Sequence, residues 1–124
     1  MSTNKSNEHK VGILGGLALY EPSFMDQWEP VHIETPYGNP QYLYQGTVDD
    51  INVVYWRRWF RNGDIRPPTA LYEMQKAAMY AFKEMGVTQV IVHDGAGSIN
   101  RAMELGDLLL VEDFVDFTGK NKHS

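Results

Sequence analysis

At 124 residues, with 43% hydrophobic content and a formal net charge of −5, the chain is long enough for one globular domain and too acidic for a general nucleic-acid binder, which needs a basic stripe against phosphate. With no cysteine, disulfides, thiolate metal sites and a cysteine nucleophile are excluded, as suits a reducing cytoplasm. The opening MSTNKSNEHK has no apolar core of a signal peptide or anchor, and no later run reaches membrane-span length, so a cytoplasmic protein with no membrane partner is expected.

Residues 1–9 read as a flexible N-terminus, 10–118 as one α/β domain and 119–124 as a polar tail. KVGILGG is a short apolar run closing on two glycines, the pattern of a buried strand near 10–14 that enters a tight turn. VHIETPYGNP reads as an edge strand followed by a turn around Pro36, Gly38 and Pro40. QYLYQGTV and INVVYW are rich in β-branched and aromatic residues and flank Asp49-Asp50, which predicts strands near 41–47 and 51–56 joined as a hairpin. The loop RRWFRNGDIRPP carries Arg57, Arg58, Arg61 and Arg66. Leu71, Met74, Ala78, Met79, Phe82 and Met85 recur at helical spacing, which predicts a helix over roughly 69–85 stopped by Gly86. TQVIVHD and DLLLVEDFVDF are near-continuous apolar runs and predict strands near 88–93 and 107–115. Strands mixed with at least one long helix indicate an α/β fold, a mixed sheet with flanking helices.

In this order, VGILGG, ETPYGNP, MQKAAMYAFKEMG, VTQVIVHDGAGSI and ELGDLLLVEDFVDFT resemble the N-terminal half of the methylthioadenosine and purine nucleoside phosphorylases, over residues 10–118. The resemblance implies a shortened nucleoside-phosphorylase-like fold. It also implies cleavage of a nucleoside's glycosidic bond with phosphate as nucleophile and co-substrate, with no metal and no other cofactor. Three clusters of such a site map onto this chain, and each departs from the family pattern. Gly15-Gly16-Leu17-Ala18 stands where Gly-Gly-Thr-Gly is expected, so the threonine hydroxyl is gone. Arg57-Arg58-Trp59 stands on an Arg-His-Gly segment and keeps one arginine. In the strand-end loop His93-Asp94-Gly95-Ala96, Asp94 replaces a small hydroxyl residue, and a carboxylate there repels a phosphate dianion and cannot donate to it. Met74-Gln75 also replaces an Asn-Tyr pair.

Other readings of these residues are blander. The spacing of Gly12, Gly15 and Gly16 is wrong for a dinucleotide fingerprint and fits a tight turn. Gly-Ala-Gly-Ser is not a nucleophile elbow, so Ser98 reads as a loop or cap residue. His93 and Asp94 are adjacent on a strand, point to opposite faces and cannot form a dyad. Of the two, Asp94 is the candidate catalytic carboxylate, and a buried histidine is more often a satisfied core group. His32 and Glu34 share a strand face but make a weak metal signal. Trp56 and Trp59 beside Arg57 and Arg58 suit stacking on an aromatic anion, and equally an oligomer interface.

Three functions are therefore weighed. One is a protein that binds a nucleoside-like or other planar, anionic small molecule with ordinary phosphorolysis weak or lost. The second is a phosphorylase completed by another subunit, and the third an oligomeric structural or regulatory protein. Apolar surface left uncovered by the shortened fold makes a homo-oligomer the expected state.

Overall fold

The computed structural model describes residues 9–16, 27–40, 42–57 and 68–119. Its elements are β1 (Lys10–Gly15), β2 (Glu29–Val31), β3 (Leu43–Val48), β4 (Ile51–Arg57), α1 (Pro68–Glu84) and β5 (Gln89–Val92). The five strands form one sheet in the order β2-β3-β4-β1-β5. β1 runs parallel to both β4 and β5, whereas β2, β3 and β4 pair antiparallel, so the sheet is mixed. The α/β class, the mixed sheet and the long helix agree with the expectations from sequence; of the flanking helices expected, α1 is the one found among the described residues. Four strands and the helix fall within two residues of their predicted bounds. The edge strand lies at Glu29–Val31, ahead of most of VHIETPYGNP.

The hairpin between β3 and β4 has the two-residue turn that Asp49-Asp50 suggested. Both aspartates take positive φ, 46° and 66°, the geometry whose twist matches paired strands. In the turn after β2, Gly38 N–H donates to Thr35 O at 3.0 Å around Pro36, and Gly38 supplies φ of 99°.

α1 covers one face of the sheet through residues at three- and four-residue spacing, Met74, Ala78, Ala81, Phe82 and Met85. They pack on Leu43, Val54 and Trp56 from β3 and β4. Its start at Pro68 uses a residue whose missing N–H costs nothing in the first turn. It ends in a paired cap: Gly86 (φ 79°) donates to Lys83 O at 3.1 Å and Val87 donates to Phe82 O at 2.9 Å. Lys10 Nζ reaches across from β1 and donates to Met85 O at 2.9 Å, another carbonyl at this helix end.

Gly12 allows this packing. A Cβ there would lie 2.7 Å from two ring carbons of Phe82 and 2.9 Å from Val87. β1 thus presents bare backbone where the helix end approaches most closely. On the opposite face Trp28 lies against Gly46 of β3 in the same manner. Val53, Val54, Tyr55 and Trp56 are all buried, so both faces of central β4 are covered.

The predicted strand at 107–115 is not formed. The chain from Asp94 to Gly119 contains short turns and no strand, and Leu108, Leu110, Val111, Phe114 and Phe117 are exposed. A strand exists only when its N–H and C=O groups find a partner, and among the described residues no strand lies beyond β5 to receive this segment. Residues 1–8 of the expected flexible N-terminus and 120–124 of the expected polar tail lie outside the described residues. Among the described residues, no helix is long and apolar enough to cross a membrane.

Two substitutions test this account. Gly12→Val forces a side chain into Phe82 and should lower the free energy of unfolding by about 1–3 kcal/mol. Asp50→Gly relieves a positive φ and should raise it by ~0.5–1 kcal/mol. Urea denaturation followed by circular dichroism measures both, and equal midpoints for Gly12→Val and the parent would contradict the close helix–strand contact.

Candidate functional site

Three parallel strands end together. Gly15 of β1 pairs with Arg57 of β4, Leu14 pairs with Val92 of β5, and His93 N–H donates to Leu14 O at 3.0 Å. Side chains at the carboxyl ends of adjacent parallel strands share one rim, the usual place for a ligand in an open α/β sheet. The fold thus gathers Gly15, Gly16, Arg57, His93 and Asp94, which are up to 79 positions apart in sequence.

Neither glycine of this rim has room for a side chain. A Cβ on Gly15 would strike the Tyr55 hydroxyl and ring. One on Gly16 would lie 2.5 Å from His93 O and 2.9 Å from both the Cα and Oδ1 of Asp94. The β1 turn and the loop after β5 are therefore in backbone contact. Asp94 is exposed and its Oδ1 accepts from the N–H of Gly95 at 2.9 Å. His93 is half-buried, and its Nδ1 is buried with no hydrogen-bond partner among the described residues. The expectation of a satisfied core histidine does not fit that atom. It is a buried donor or acceptor without a partner among the described residues.

Arg57 stacks on Tyr42, with its Cζ 4.4 Å from the ring centroid, and its N–H donates to Tyr42 O at 3.0 Å. Tyr42 has φ of 61°, a conformation costly for an aromatic residue. The strain and the stack together fix where the guanidinium sits. Beneath it, burial pushes the Tyr55 hydroxyl above its ordinary value near 10; Arg57 opposes the shift by its charge and Tyr44 adds to it.

Trp56 does not serve the rim. It is 0% exposed and packs with Leu43, Val54, Ala78 and Phe82, so its ring has no face to offer a ligand. Adjacent β4 residues alternate faces, and Trp56 takes the helix side. Leu17, Arg58 and Trp59 lie outside the described residues, and Gly95 and Ala96 follow Asp94 on an exposed loop. Sequence reasoning missed Tyr42 and Tyr55, whose roles come from pairing across β3 and β4 and have no local signature.

A cavity of about 520 Å³ opens elsewhere, between Lys10, Trp28, Glu29, Gln45, Thr47 and Asn52. Lys10 begins β1 and pairs with Asn52, the second residue of β4, so this cavity is at the opposite end of the strands from Arg57. The rim is the stronger candidate because it combines a cation, a carboxylate, a buried imidazole nitrogen and close backbone approach. His32 and Glu34 do meet, at 2.8 Å, but Asn39 takes the other ring nitrogen at 2.9 Å. Among the described residues no three metal-ligating side chains converge.

The sequence pattern of the phosphorylase superfamily matches residues 10–124. The chain belongs to this superfamily. It is 34% identical over 112 residues to S-methyl-5'-thioadenosine phosphorylase of Drosophila melanogaster, which covers 90% of this chain and 38% of that protein. The enzyme of the same name from Saccharolobus solfataricus is 30% identical over 121 residues, covering 97% and 44%. A probable 6-oxopurine nucleoside phosphorylase of Dictyoglomus turgidum is 30% identical, covering 93% and 42%. Among solved structures, methylthioadenosine phosphorylase from Schistosoma mansoni in complex with adenine superposes with a TM-score of 0.56 at 29% identity, over 68% of this chain and 30% of that one. The chain thus spans about two fifths of the length of these curated relatives.

The raised Tyr55 hydroxyl fixes a pH dependence. A proton held more tightly in the folded than in the unfolded chain gives stability that is complete below the unfolded value near 10 and is lost as pH rises through the higher folded value. Tyr55→Phe should reduce the fall in urea midpoint between neutral and strongly alkaline pH relative to the parent. Identical slopes would show that Tyr55 titrates as an exposed tyrosine.

Proposed function

We propose that this phosphorylase-superfamily chain uses the rim at the ends of β1, β4 and β5 to bind a nucleoside-like or other planar, anionic small molecule, with ordinary phosphorolysis weak or lost. The observation that carries this reading is the juxtaposition of Arg57, held on Tyr42, with the His93-Asp94 loop pressed against Gly16. Arg57 brings a positive charge to the rim, which suits one anionic group. Asp94 opposes a phosphate dianion on the same rim, although its exposure lets water weaken that repulsion. A nucleobase, whose N–H groups need acceptors, is served by a carboxylate where phosphate is not. The relative solved with adenine supports the same ligand class.

The second reading is a working phosphorylase, with phosphate as co-substrate, whose remaining pocket comes from another subunit. It is supported by the superfamily match over residues 10–124 and by the identity to S-methyl-5'-thioadenosine phosphorylases. In either case a homo-oligomer is the expected state.

Calorimetry with adenine, methylthioadenosine and inorganic phosphate separates the two. The binding reading expects micromolar or weaker affinity for the adenine compounds, loss of about tenfold in Arg57→Ala, and little phosphate-dependent release of adenine. Asp94→Ser should strengthen phosphate binding by roughly tenfold, because it removes a like charge and adds a donor. Robust phosphorolysis by the homogeneous parent would establish the second reading instead.

A further inference from the structure

The turn that follows β2 carries three polar side chains that the rim does not use. His32 and Glu34 stand on the chain as it leaves β2, and Asn39 returns to them from the end of the turn. The Nε2–H of His32 donates to Glu34 Oε1 at 2.8 Å, and Asn39 Nδ2–H donates to His32 Nδ1 at 2.9 Å. A carboxylate only accepts, so the ring proton belongs on Nε2 and Nδ1 presents a lone pair. The imidazole is neutral in this arrangement, one nitrogen donating and the other accepting. Between the two bonds the backbone closes on itself: Gly38 N–H donates to Thr35 O at 3.0 Å, and Thr35 N–H donates to Gly38 O at 3.2 Å. The other atom of the Asn39 amide stands apart. Its Oδ1 is buried and accepts no hydrogen bond among the described residues, a costly condition for an amide oxygen.

We propose that Glu34, His32 and Asn39 form a proton-operated clip on this turn. A proton added to Nδ1 sets two donors, Nδ1–H and Nδ2–H, against each other. A half-turn of the Asn39 amide resolves the conflict, because Oδ1 takes the place of Nδ2 and accepts from Nδ1–H. Amide oxygen and nitrogen are close in size, so the exchange requires no movement of the backbone. His32 is exposed, so the proton comes from solvent. The imidazolium then donates to two acceptors, one of them a carboxylate. Other charged groups around the turn are Lys76 of α1, 5.7 Å from the Tyr37 ring and 3.9 Å from Glu73, and Arg57, which stacks on Tyr42 beside the partner of Val31. Histidine is the side chain whose ordinary titration falls between pH 5 and 8, and carboxylates, lysine and arginine do not share that range.

Nitrogen-15 NMR of the full chain between pH 8 and pH 5 tests the clip. At pH 8, His32 should be the Nε2–H tautomer. As the pH falls, the side-chain amide signals of Asn39 should move with the same midpoint as the His32 ring nitrogens, because the amide changes partner. In Asn39→Asp both ring nitrogens face groups that only accept, so His32 should keep both protons to a pH about half a unit higher than in the parent. A side chain that merely fills the turn would leave that midpoint where it was. An Nδ1–H tautomer at pH 8, Asn39 amide signals that do not follow the His32 titration, or an unchanged midpoint in Asn39→Asp overturns the proposal.

Discussion

Phe82 lies on a strand that has no side chain to resist it. The contact at Gly12 lets α1 settle against β1, and the cap at Gly86 and Val87 turns the chain back within a few residues. Val87 meets the same glycine, and Thr88 N–H donates to Lys10 O at 2.9 Å, which starts β5 in register beside β1. The parallel alignment of β4, β1 and β5 follows from that placement. So does the convergence of Gly15, Arg57 and His93, since each closes a strand whose register is already set. The candidate site is thus a consequence of packing at the other end of the strands.

The same geometry explains what stays uncovered. β1 lies inside the sheet and is paired on both sides, whereas β5, among the described residues, is paired on one side only. Residues 93–119 leave the sheet at that edge with many apolar side chains exposed. Local preference supplied by Leu108–Val111 amounts to tenths of a kcal/mol per residue, while an unpaired backbone group removed from water costs about 1–3 kcal/mol. Without a neighbouring strand the extended, solvated chain is favoured.

Much of the architecture was legible in the sequence because it depends on local signals. Two aspartates between β-rich runs specify a tight hairpin, and Gly86 after an amphipathic stretch specifies a helix end. The strand expected at 107–115 was misread because DLLLVEDFVDF records a capacity to pair, and pairing depends on what lies alongside. Trp56 was misassigned for a related reason. In an all-buried strand such as β4 both faces look alike from sequence, and only the position of α1 decides that Trp56 faces the helix while Tyr55 and Arg57 share the other side. Tyr42 was invisible because its importance lies in a backbone conformation and a stack made across the hairpin.

The charge arrangement at the rim bears on which ligands it can prefer. Stacking on Tyr42 occupies one flat side of the Arg57 guanidinium. The positive φ of Tyr42 is unfavourable in isolation, and it is held because the neighbouring N–H of Arg57 is bonded to the Tyr42 carbonyl. The cation is therefore positioned before any ligand arrives, which lowers the ordering cost of binding. Asp94 sits on the far side of Gly16, where backbone contact with the β1 turn fixes the loop that carries it. In the proposed reading, a guanidinium and an acceptor-only carboxylate on one rim are matched by a molecule with an acceptor at one end and N–H groups at the other. A symmetrical dianion satisfies the first requirement and violates the second, so the ligand proposed is base-bearing and not free phosphate.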